Sequence, residues 1–106
     1  MKWLEPWEPV HDLMDEAYSQ AWEAELALET GPGHPLHQIS AKLIARRFDC
    51  DDALFQLGDG RVAMVHLTWS QRQEFEPQWP DTRIYTSLET WGQEGLAADH
   101  AEWLVA

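Results

Sequence analysis

The chain has 106 residues and carries seven Lys+Arg against nineteen Asp+Glu, a formal net charge of −12. Such a field repels nucleic acid, whose binding rests on neutralising phosphates, and attracts a basic protein. The single cysteine, Cys50, excludes an internal disulfide, and 44% apolar with 25% charged residues is the balance of a folded domain rather than a disordered tail.

The charge is uneven. Residues 1–30 set Lys2 against eight acids, residues 31–73 set five bases against four acids, and residues 74–106 set Arg83 against seven acids. A single domain over 1–106 is expected, long enough to bury one core without a metal or disulfide. Residues 1–8 read as an irregular arm in which Trp3 and Trp7 are hard to place as core. No run approaches the ~20 apolar residues of a membrane span, and Glu5 and Glu8 interrupt what could have been a secretory leader. The expected setting is a bacterial cytoplasm, with no membrane and no nucleic acid.

In chain order, Val10 to Glu29 reads as a helix. Pro9 suits the first helical position, and Asp12, Asp15 and Glu16 suit the positive end of the helix dipole. Val10, Leu13, Met14, Ala17, Ala21, Ala24 and Leu28 form an apolar stripe at helical spacing. Leu26 points nearly opposite that stripe, and Trp22, four residues before it, can touch it. The pair is expected to be a contact surface on an acidic helix, for a partner or for a second copy of the chain. Gly31-Pro32-Gly33 stops the helix.

Three strands are expected next: Ala41 to Phe48, Ala53 to Leu57 and Val62 to Trp69, the last two joined at Gly58-Asp59-Gly60. In the last strand Ala63, Val65, Leu67 and Trp69 point one way and Val62, Met64, His66 and Thr68 the other. Residues 70–83 read as a long loop with Phe75 and Trp79 set in polar sequence, a length that is often functional. A short helix at Ser87 to Trp91 and another from Leu96 to Val105 follow, with Gly92 and Gly95 expected to break them apart. Leu96, His100, Trp103 and Leu104 share a face, and His100 reads as a packed core histidine. The fold class is α+β: a three-stranded antiparallel meander packed in two layers against an N-terminal helix and one or two C-terminal helices.

Chemistry-bearing residues are sparse. Asp49-Cys50-Asp51-Asp52 directly follows Arg46-Arg47, so these charges can neutralise one another at a strand-to-strand turn or form a polar site. His66 needs an oriented carboxylate to act as a base, and Asp51 or Asp52 is the nearest in sequence. Acidic neighbours raise the Cys50 thiol and suppress its nucleophilic form. His34 and His37 are too few to hold zinc by themselves, and no metal or other cofactor is expected. No phosphate loop or serine elbow is present.

The runs His34-Pro35-Leu36, Ala45-Arg46-Arg47, Asp49-Cys50-Asp51-Asp52, Leu54-Phe55, Asp59-Gly60-Arg61 and Val65-His66-Leu67-Thr68-Trp69, with Glu76, Trp79-Pro80, Thr82 and Tyr85, resemble a family of small bacterial proteins without an established activity. The resemblance implies a compact architecture and a bacterial cytosolic setting, and it marks Asp51-Asp52 and His66 to Trp69 as a shared feature. The charge, the size and the absence of a convincing catalytic set point to a non-catalytic acidic protein that binds a basic protein, immunity- or antitoxin-like in its concrete form. Its candidate contacts are Trp22, Leu26, Asp51, Asp52, His66, Trp69 and Trp79. The alternative is a small enzyme or ligand-binding domain using His66 with Asp51 and Asp52, assisted by Arg46 or Arg47.

Overall fold

The computed structural model describes residues 2–10 and 15–105. Its centre is a five-stranded antiparallel sheet in sequential order, β1 (Trp7–Pro9), β2 (Ala41–Arg47), β3 (Asp52–Leu57), β4 (Val62–His66) and β5 (Asp81–Tyr85). The expected middle strands are there, and two short edge strands extend them: Trp7–Pro9 lies in the arm expected to be irregular, and Asp81–Tyr85 in and just beyond the segment expected to be loop. Edge strands need few residues and show little alternation, which is why patterning misses them.

Helix α1 runs from Glu16 to Glu29, with Asp15 as its N-cap accepting from the Tyr18 amide at 2.9 Å. It therefore starts later than expected. Val10 instead donates its amide to the Ile44 carbonyl beside β2, and Leu13 and Met14 lie outside the described residues. The buried face of α1 is Trp22, Glu25, Leu26 and Glu29, while Ala17, Ala21, Ala24 and Leu28 are exposed. The alanine stripe misleads because alanine is a good helix former anywhere and gains little by burial. Trp22 and Leu26, expected on the surface, are core residues.

The C-terminal helices form one continuous rod: α2 (Leu88–Trp91), a π turn over Gly92–Leu96, and α3 (Ala97–Val105). Gly92 and Gly95 do not break it; they sit where the helix widens by one residue. A Cβ on Gly95 would lie 2.7 Å from the Trp91 indole, so glycine is what lets that fully buried ring lie against the helix.

Two apolar clusters lie on opposite faces of the sheet, so the layering is helix, sheet, helix instead of two layers. One joins Trp22 and Leu26 to Leu43, Phe55, Val65 and Leu67; the other joins Trp91 and Leu96 to Trp7, Ala45, Leu54 and Val62. The alternation read in β4 divides its residues between these two clusters. Trp3 and Trp7 pack back on Trp91, at 5.8 and 5.0 Å between ring centroids. A bulge in β2 shifts the register between Leu43 and Ala45. Because a strand alternates faces, one extra residue moves everything after it to the other side. Leu43 faces α1, but Ile44 and Ala45 both face the C-terminal rod.

Candidate functional site

The same bulge turns Arg47, the last residue of β2, toward α3. Its residue is 8% exposed. Nε and Nη2 donate to the two carboxylate oxygens of Asp49, each at 2.9 Å. Nη1 lies 3.4 Å from Asp99 Oδ1 and 3.9 Å from Asp52 Oδ2. A flat guanidinium with five donors can serve three carboxylates at once, which an ammonium cannot do with the same geometry. The Asp49 hydrogen bond raises the basicity of Arg47 further and holds the Asp49 carboxyl below its usual range. Asp99, on α3, accepts from the Trp7 indole N–H at 2.8 Å. Burial raises its pKa, against the opposing pull of Trp7 and Arg47.

Asp52 opens β3 directly opposite His66 at the end of β4. Opposed side chains on an antiparallel pair meet, and here His66 Nδ1 lies 2.6 Å from Asp52 Oδ1. A carboxylate accepts, so Nδ1 carries the proton and Nε2 is the basic nitrogen of the neutral ring. The His66 side chain is 53% exposed. Between these strand ends and α3 runs an open groove of about 440 Å³ lined by the charged residues Arg47, Asp52, Asp81, Arg83, Asp99 and Glu102, with His66, Met64 and Ala98. No serine, threonine, cysteine or tyrosine lines it among the described residues. Phe48 and Trp103, next in sequence to Arg47 and Glu102, form an edge-to-face pair at 6.0 Å, and Phe48 is 41% exposed.

A second polar constellation joins α1 to the segment after β4. Glu29, fully buried, accepts the amides of Thr68 and Trp69 at 3.0 and 2.8 Å, and Glu25 accepts that of Gln71 at 3.0 Å. Glu23 takes the amide of Leu43 beside the bulge at 2.9 Å. Three acids of the acidic helix thus hold backbone in place instead of presenting charge outward.

Of the residues singled out in the sequence, Asp52 and His66 come together with Arg47. Asp51 does not join them: it is exposed, and its carbonyl accepts the Leu67 amide at 3.3 Å. Arg46 faces the other side, paired with Glu8 at 2.9 Å. Trp22 and Leu26 are buried, so they offer no exposed contact surface; Trp22 meets Trp69 edge to face at 5.0 Å. Trp79 is 44% exposed. Cys50 is exposed as a residue, but partial burial of its thiol, reinforced by Asp52 and Asp49, pushes its pKa up to about 11.

His34 and His37 are turned to separate backbone groups. His34 Nδ1 accepts the Leu36 amide at 3.0 Å, so its Nε2–H donates to the Pro80 carbonyl at 2.9 Å. His37 Nδ1 lies 3.0 Å from the Thr30 carbonyl. His100, expected in the core, is half-buried and ties α3 to the Glu5 carbonyl at 2.6 Å.

Asp81, Arg83, Asp99 and Glu102 were missed as groove residues. Asp99 carried a signal, since it stands three residues from the buried Leu96 and so near the inner face of its helix. Asp81 and Arg83 carried none, because only the pairing of β5 with β4 brings them beside His66 and Met64. Among the described residues no helix is long and apolar enough to cross a membrane, and no three His, Cys, Asp or Glu side chains are grouped as for a metal ion. No protein-family model, curated protein or solved structure matches the chain.

Proposed function

We propose that the protein is a non-catalytic interaction protein that receives a basic segment of a partner protein in the groove between the sheet and α3. The observation that carries this reading is the charge inventory of the groove. Asp52, Asp81, Asp99 and Glu102 line it against Arg47 and Arg83, and Arg47 is already committed to Asp49. The groove is therefore short of positive charge, and an incoming arginine or lysine supplies it. The Phe48–Trp103 pair beside it offers the aromatic contact on which such interfaces depend. An immunity- or antitoxin-like protein, small and acidic against a basic target, is the concrete form this takes.

A titration of the labelled protein with an arginine-rich peptide, followed by amide NMR, tests the reading. Shifts are expected to centre on Asp52, His66, Asp81 and Glu102, with affinity falling between about 50 and about 300 mM salt as screening shortens. Glu102→Lys and Asp81→Lys should weaken binding with little change in melting temperature. Binding that ignores salt, or that maps to another face, overturns the proposal.

The second reading is a small enzyme or ligand-binding domain, and the Asp52–His66 contact at 2.6 Å is what favours it. A carboxylate-oriented imidazole can take a proton from a water or a substrate. No hydroxyl or thiol side chain lines the groove beside that dyad among the described residues, and the reaction this reading assigns to it is general-base catalysis.

A further inference from the structure

The buried carboxylates of α1 point away from the groove. Glu25 and Glu29 are one turn apart on the inner face of the helix, 6% and 0% exposed. Both are aimed at the backbone of one loop, residues 68–74. Glu29 takes the amides of Thr68 and Trp69 with its two carboxylate oxygens, Glu25 takes that of Gln71, and the Glu29 carbonyl takes that of Glu74 at 3.1 Å. The loop conformation needs this grip. Trp69 and Gln71 have φ of 54° and 60°, left-handed values that side chains rarely adopt unless held. Gln73 lies across Gly31, and Trp69 packs on Trp22.

Two carboxylates that share a dry site do not both ionise readily, because each charge repels the other and neither is solvated. The groups facing them offer no relief. The sheet beneath contributes apolar Leu43, Phe55, Val65 and Leu67. The loop contributes Glu74, bonded to the Thr68 hydroxyl at 2.7 Å, and Arg72, whose guanidinium lies over the Phe75 ring. The segment after the helix contributes His34 and His37, both turned to backbone groups. Arg46, on the α1 side of the sheet, is taken by Glu8.

We propose that Glu25 and Glu29 form a proton-operated latch, which holds the 68–74 loop against α1 while Glu29 carries a proton and loosens it when that proton leaves. Burial, with the contact to Glu25 second, pushes the Glu29 carboxyl from its ordinary value of 4.5 up to about 7. The amides of Thr68 and Trp69 pull the other way and do not prevail. A carboxyl whose folded value is raised contributes stability that is complete below its ordinary value and is lost as pH rises through its folded value. The latch therefore opens across neutrality, from the acid side to the alkaline. Opening frees Trp69 from Trp22 and relaxes the left-handed residues, and it passes slack to the segment carrying Phe75, which is 90% exposed, and Trp79.

Amide hydrogen exchange, corrected for intrinsic rates, tests this between about pH 5.5 and about pH 8.5. In the wild type, protection at Thr68, Trp69 and Gln71 should fall about tenfold relative to β3 and β4 as pH passes through neutrality. Glu25→Gln removes the second carboxylate and leaves the burial, so it should move that step to lower pH. Its amide nitrogen donates to the Glu29 carboxylate while its oxygen still accepts from Gln71, so the variant should match or exceed the wild-type melting temperature at the alkaline end. Loop protection that does not change with pH in the wild type, or a step that stays at the same pH in Glu25→Gln, overturns the proposal. A carbon-detected titration of the Glu29 side chain in the unmodified protein needs no variant: titration near neutrality together with the loop amides supports the latch, and titration with the surface carboxylates refutes it.

Discussion

Arg47 shows how much one side chain holds. It is the only cation among the described residues that is itself buried, and it serves Asp49, Asp99 and Asp52. Hydrogen bonds to charged groups are worth about 1.5–3 kcal/mol each when desolvated, and the partly exposed carboxylates here reduce that. Arg47→Lys keeps the charge and loses the bidentate geometry; thermal unfolding should show a loss of about 1–2 kcal/mol. A variant as stable as the wild type would mean that charge alone suffices at this position. Leu26 makes the complementary point. It is 3% exposed beneath α1, so Leu26→Ala should cost about 3 kcal/mol, read as a lower denaturant midpoint. Glu25 and Glu29 explain why the sequence misplaced it. Trp22, Glu25, Leu26 and Glu29 follow the spacing of a buried helix face, but two of the four are acids, and a pattern read in apolar residues passes over them. Their reason for being inside is the amides of residues 68–71, which no local signal announces.

At the level of elements, the β2 bulge decides which chemistry reaches the groove. Without it Arg47 would lie on the α1 side with Leu43, and the carboxylates of Asp49, Asp52 and Asp99 would have no common partner. The middle strands were legible because β-branched and apolar runs between turn residues are strong signals, and the two faces of β4 were legible because strand alternation is strict. The bulge was not, since an extra residue in Leu43-Ile44-Ala45 leaves composition unchanged. The C-terminal rod misled for a related reason: glycine normally argues against helix continuity, but Gly95 is there to admit the Trp91 ring. Gly95→Ala should therefore destabilise the protein despite alanine's intrinsic preference for helix of about 1 kcal/mol. The added methyl meets the indole at 2.7 Å, and overpacking of a rigid core costs about 1–3 kcal/mol. Calorimetry decides the sign; a raised melting temperature would show that Trp91 can move aside.

For the molecule as a whole, the net charge of −12 is divided between carboxylates that hold backbone and carboxylates that face solvent. The α1 acids Glu23, Glu25 and Glu29 belong to the first kind, so the acidity of the first thirty residues overstated the charge that α1 offers to a partner. Asp49, Asp52, Asp81, Asp99 and Glu102 gather at one end of the sheet, which no linear charge map shows because they come from three separate places in the chain. Repulsion among like charges opposes the folded state and is screened by salt. Raising sodium chloride from about 20 to about 300 mM should lift the melting temperature by a few degrees. A fall would show that attractive pairs, such as those of Arg47, outweigh repulsion.

The sequential order of the sheet governs how this protein comes together. Every strand pairs with its neighbour in the chain, and the central pairs β2–β3 and β3–β4 close through short turns, local contacts of the kind that make folding fast. The ties between the arm and α3 are of another kind: Trp7 to Asp99 and His100 to Glu5 join residues 92 and 95 positions apart. Such loops are the costliest to close and are expected to form last. Helix α3 also has no buried residue, so little apolar burial holds it once formed. The groove thus has one wall that is fixed early and firmly, the sheet, and one wall that is added late and yields easily. On the reading proposed above, a basic segment seated there would meet charge along the sheet and, opposite it, a helix held by few apolar contacts.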